Sequence, residues 1–231
     1  LYKNRLLMLD IIASNEWKRP IYFTGGAFGD EDYIWMKDYL QVEGVCYKLT
    51  PIKTPVDPER PYEMGQVNIS TMYPLVKKWK WGKRSEKEIY YDTESRRNSI
   101  TYRSNMIRLI DQLIIENENE KAEEILDLAM AKMPIEDFGF YTLLIPFINS
   151  YYTIEKKDKA REIFEKIAIK YKESLEYYSN ISDSNKNKYA ELIYTDIERY
   201  RSLVDVLISY EEGEYLESKM KEFNDYLDLF L

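Results

Sequence analysis

Lysine and tryptophan interleave in Lys77-Lys78-Trp79-Lys80-Trp81-Gly82-Lys83-Arg84, the one basic patch of this chain. Ammonium groups beside indoles suit a membrane interface, where indole sits at headgroup depth and lysine meets anionic lipid. A solvated helix end with one buried tryptophan is the plainer reading of the same residues. Gly25-Gly26-Ala27-Phe28-Gly29 is glycine-rich but has neither the G-x-G-x-x-G spacing of a dinucleotide loop nor the Gly-Lys-Ser/Thr of a P-loop. Asp30-Glu31-Asp32 are adjacent carboxylates without the alternate spacing of a calcium loop, so they read as an acidic helix start. Cys46 stands alone between Val45 and Tyr47 and reads as a small apolar residue. The chain has no histidine, which excludes Ser-His-Asp and Cys-His machinery and imidazole metal ligands. No cofactor and no metal are expected.

The 231 residues fit one large domain or two small ones, and 45% hydrophobic residues are enough for a packed core. The net charge of −8 is uneven. Residues 1–90 hold 14 Lys/Arg against 12 Asp/Glu, and residues 91–231 hold 19 against 29. The acidic part argues against nucleic acid as a partner. No apolar run approaches the ~18 residues of a membrane span. With no signal peptide and a first residue other than methionine, the chain reads as a soluble piece of something longer.

Two regions must position these residues. Over 1–90 the pattern predicts α-β-α-β-α. A helix carries Leu6 to Ile12, a strand runs over 21–24, and a helix over 33–39 is broken at Gly44. A second strand follows over 45–52, then a proline-rich loop over 54–65 and a helix capped by Asn68. A helical crossover between the two strands favours parallel pairing. Over 91–231 the period becomes helical, with stripes such as Met106, Leu109, Ile110, Leu113 and Ile163, Phe164, Ile167, Ala168. Ala122, Leu126, Ala129 and Pro134 fit the second helix of a tetratricopeptide repeat. Tyr151, Ala160 and Phe164 fit part of the next unit, 38 residues on, against a usual period of about 34. Ile167 and Lys172 depart from that pattern. The fold class read from this is α+β, mostly α: a small α/β subdomain over 1–90, then tetratricopeptide-like helical hairpins over 91–231.

One segment carries a family likeness. The run from Leu9 to Phe23 contains Asp10, Asn15, Trp17, Lys18, Arg19, Pro20 and Tyr22. It resembles the entry into the soluble C-terminal tail of a multi-pass membrane protein family similar to protein O-mannosyltransferases. Tyr39–Gly44, Leu49–Pro55, Val67-Asn68 and Trp79–Gly82 resemble the same tail. The resemblance implies a non-catalytic domain on the extracytoplasmic, periplasmic face of a bacterial inner membrane. Its partners would be a protein partner or acceptor and the membrane-embedded remainder of its own polypeptide. The family's catalytic core has no counterpart here, so no catalytic residue carries over, and the oligomeric state stays open. Two alternatives remain: a helical scaffold unrelated to glycosyl transfer, and an enzyme fragment with a small-molecule site at Gly25–Asp32.

Overall fold

The computed structural model describes residues 2–24, 32–54, 63–82 and 89–230. Among the described residues the protein is mostly helical with one small sheet of four strands. It divides into two compact units, Leu1–Lys132 and Met133–Leu231. The change of pattern near residue 90 is thus a change of element type and not the boundary between these units.

In the first unit, α1 (Lys3–Asn15) leads into β1 (Tyr22–Thr24). A 3-10 turn over Ile34–Tyr39 precedes β2 (Leu40–Glu43) and β3 (Cys46–Leu49). The short β4 (Gln66–Val67) completes the sheet in the order β1-β3-β2-β4. The expectation of a helix broken at Gly44 and of parallel pairing needs correction. Leu40-Gln41-Val42-Glu43 alternates with period two and forms a strand. Gly44, at φ +68°, turns that strand back as a hairpin, a conformation glycine adopts without penalty. β3 therefore pairs antiparallel with both β1 and β2, and the parallel pair is β2 with β4.

The register sorts the side chains. Leu40, Val42, Tyr47 and Leu49 share one face, where Tyr33, Met36, Leu40 and Leu49 form a core with Met8 and Ile12 of α1 against it. Tyr22, Gln41, Glu43, Cys46 and Lys48 share the other face. Asn68 accepts a hydrogen bond from Thr71 N–H and starts α2 (Ile69–Lys77), whose Met72 and Val76 are fully buried. The carbonyl of Gly44 accepts from Asn105 Nδ2 at 2.9 Å, which ties the hairpin turn to α3 (Thr93–Ile115). A helix pair, α3 and α4 (Asn119–Lys132), closes this unit around Met106, Leu109, Ile110, Leu113, Ala122, Ile125, Leu126 and Ala129, all fully buried.

The second unit begins with α5 (Ile135–Phe138) and a 3-10 turn at Tyr141–Leu144, short elements that the stripe pattern does not register. Then come α6 (Ile145–Thr153), α7 (Lys157–Ser179), the short α8 (Asp183–Lys188), α9 (Ala190–Tyr210) and α10 (Glu214–Leu227). The polar break expected over 179–188 thus contains one helical turn and a half. Ser182 is its N-cap, and its carbonyl accepts from Asn185 and Lys186.

The turns that join α3 to α4 and α6 to α7 have the same geometry. Asn117 (φ 60°) and Glu155 (φ 62°) are left-handed. Glu118 N–H bonds Leu113 O, and Lys156 N–H bonds Tyr151 O, each closing the helix end in a Schellman manner. These turns lie 38 residues apart, the same spacing as the buried Ala122 and Ala160.

Candidate functional site

The signature turn is built by its own backbone. Asn15 ends α1, and its side-chain amide donates to Arg19 O at 2.7 Å. Lys18 N–H donates to Asn15 O at 2.9 Å. Glu16 (φ 46°) and Trp17 (φ 57°) are both left-handed, a conformation non-glycine residues adopt rarely. The turn leaves Trp17 half exposed and Lys18, Arg19 and Pro20 exposed. Asp10 lies exposed on α1.

Tyr22 is on the open sheet face, where its hydroxyl donates to Glu43 Oε2 at 2.7 Å. Lys48 Nζ meets Glu43 Oε1 at 3.0 Å, so this one carboxylate organises the face. The bond to Glu43, with burial adding, pushes the Tyr22 hydroxyl up to about 12. Cys46 is half-buried on the same face and free.

The lysine–tryptophan patch separates into two parts. Lys77 turns to α4 and pairs with Glu124 at 2.6 Å, while Tyr73 also donates to Glu124. The bond to Glu124 raises the Lys77 ammonium, and the bonds from Lys77 and Tyr73 lower the Glu124 carboxyl. Trp79, Trp81 and Tyr102 pack edge-on or tilted, with ring centres 5.1 to 5.8 Å apart. Both indoles are half-buried, whereas Lys78 and Lys80 point to solvent. Lys83 and Arg84 lie outside the described residues. The solvent-facing edge of this patch is therefore Lys78 and Lys80 beside the Trp79–Trp81–Tyr102 cluster.

The glycine-rich segment, Asp30 and Glu31 also lie outside the described residues. Asp32 pairs with Arg5 at 3.5 Å. No group of three or more potential metal ligands occurs among the described residues. A cleft between Glu63, Gln66, Arg108 and Asp111 holds about 40 Å³, room for a few waters and far short of a ligand pocket. No described helix is long and apolar enough to cross a membrane.

A polar cluster in the second unit has no counterpart among the sequence expectations. The Glu211 side chain is fully buried and accepts from Tyr152 Oη at 2.9 Å, Arg161 at 2.7 and 2.8 Å, and Lys157 at 2.6 Å. Burial alone would raise its carboxyl, but these donors outweigh burial and hold it at about 2. Arg161 lies 4.2 Å over the Tyr215 ring, and Tyr215 donates to Glu165. Lys172 pairs with Glu222 at 2.5 Å. Sequence gives no sign of this cluster, because the partners of Glu211 lie 50 and 59 residues away.

Residues 1–71 match the family model of TMEM260-associated domain 2. No curated protein and no solved structure matches the chain. The match includes every residue of the signature turn and ends before Lys77. The beginning of this chain is thus similar to a domain associated with TMEM260, a membrane protein.

Proposed function

We propose that this chain is a non-catalytic, extracytoplasmic domain of a membrane glycosyltransferase-like protein, and that it positions a protein acceptor or partner beside the membrane. The observation that carries this reading is the match over residues 1–71, with the Asp10–Tyr22 turn inside it. The turn is ordered by its own hydrogen bonds and presents Trp17, Lys18 and Arg19 outward, as a contact segment requires. The remainder of the polypeptide would supply the chemistry.

The helical half supports the partner-positioning part. Arg161–Glu211, Glu165–Tyr215 and Lys172–Glu222 all pair at an offset of 50 residues, so α10 runs parallel to α7. We read the parallel second helices of successive pairs, with α9 packed on α6 and α7, as a tetratricopeptide-like stack. Such stacks bind extended segments on their curved surfaces. The test has two arms. Purified chain incubated with lipid-linked or nucleotide sugars and acceptor proteins should give no product. Removing this chain from the complete gene product should reduce modification of the acceptor. Turnover by the chain alone that vanishes on mutating one of its residues would overturn the reading.

A further inference from the structure

The side-chain pairs that join α7 to α10 are polar. Tyr215 Oη donates to Glu165 at 3.0 Å, Lys219 Nζ meets Glu165 at 2.6 Å, and Lys172 Nζ meets Glu222 at 2.5 Å. Lys219 also reaches Glu222 at 3.3 Å, so two lysines and two carboxylates form one chain of charge across the contact. Both lysine side chains are 16% exposed, which shields the pairs from screening by salt. The root of α10 is held in another way. Tyr152, Arg161 and Lys157 grip the Glu211 carboxylate, and Glu211 N–H donates to Leu207 O at 2.7 Å. Two residues on, Gly213 stands at φ +70° and ψ −152°, a region that glycine alone adopts readily, and α10 starts there. A fixed residue followed by such a glycine makes a pivot. Under α10 lies Tyr200 of α9, fully buried, with its ring edge-on to Phe223 at 5.3 Å and stacked on Tyr171 at 6.1 Å. Its hydroxyl has no hydrogen-bond partner among the described residues. Burial, with the charges of Glu222 and Glu165 adding, raises that hydroxyl above its ordinary value. A buried hydroxyl without a partner disfavours the closed form, and exposure to water relieves it.

We infer that α10 is a hinged strap. It swings out as a unit about Glu212-Gly213 while Glu211 stays in place, and it uncovers the Tyr171–Tyr200 row on α7 and α9. The Glu165–Lys219–Glu222–Lys172 chain is the clasp that keeps it shut. Opening hydrates the Tyr200 hydroxyl, and closing restores the ion pairs, so the two states are set against each other by groups at one contact. The strap belongs to the second unit alone and goes beyond the proposed function without resting on it.

The test is native-state hydrogen exchange on the whole chain, read at residues 218–223 of α10, 200–207 of α9 and 147–152 of α6. Local opening exposes little surface and responds weakly to urea, whereas unfolding of the whole unit accelerates with it. At low urea, exchange at 218–223 should be faster than at 200–207 and nearly independent of urea, while Glu211 N–H keeps the protection of α9. Lys172→Met with Lys219→Met keeps the stems and removes the clasp. It should speed exchange at 218–223 at least roughly tenfold and leave 147–152 unchanged. Lys166→Met, the same change in the Lys166–Glu162 pair on the solvent side of α7, should leave 218–223 as in the wild type. Three results would overturn the inference. These are exchange at 218–223 that rises with urea together with 200–207, unchanged exchange at 218–223 in the double variant, or a double variant in which 147–152 speeds up as much as 218–223. Each would make α10 a fixed part of its unit.

Discussion

Glu211 shows how much one side chain can decide. Its carboxylate is fully buried, and two cations and a hydroxyl offset the cost of taking it out of water. Glu211→Gln would leave Arg161 and Lys157 facing a neutral amide and should destabilise the protein by about 3–5 kcal/mol, read by urea unfolding at neutral pH. The carboxyl is held below its usual 4.5, at about 2, so its contribution is complete above about pH 4.5. It is lost as pH falls through about 2. The gap between wild type and variant should therefore narrow across that window, and a gap independent of pH would show that charge is not the cause. Lys78 and Lys80 make the opposite case. Both are exposed, and each would contribute about 1 kcal/mol at most near anionic lipid. Replacing both with Gln should lower flotation with anionic liposomes at low salt, and raising the salt should erase the difference. Equal flotation at low salt would return the patch to a plain helix end. Lys77 stands apart because Glu124 already holds it.

Among the elements, periodicity carries furthest in the long helices. Met106, Leu109, Ile110, Leu113, Ala122, Leu126 and Ala129 stand in the sequence at helical spacing, and all are fully buried on α3 and α4. Ala129, a small residue on α4, is fully buried in that packing. Ala129→Leu should overpack the contact and cost about 1–3 kcal/mol, measured as a lowered denaturation midpoint. An unchanged midpoint would mean that the site yields without strain. The Asn68 cap was equally legible, because capping is local chemistry. The sheet was not. Leu40–Glu43 is only four residues long and follows a helical turn directly, so it resembled the tail of that helix until Gly44 is placed at φ +68° with Asn105 on its carbonyl. The order of four strands rests on pairings between distant segments, which no local period encodes. The Glu211 cluster was hidden for the same reason, whereas the signature turn was visible because its residues are contiguous.

At the scale of the molecule, a small sheet with a helix pair forms one unit and three further long or mid-length helices with α10 form the other. The family match falls wholly in the first unit. The Lys78–Lys80 edge is in that unit too, while the parallel α7 and α10 belong to the second. On the function proposed above, the first unit lies near the membrane and the second meets the partner. In that proposal this chain is the outward-facing part of a membrane protein. Protease added outside intact cells that carry the complete gene product tests it most directly. The expected result is a membrane-bound product that is cut within this chain without permeabilisation. A full-length product recovered free of membranes, or cut in this chain only after lysis, would contradict it.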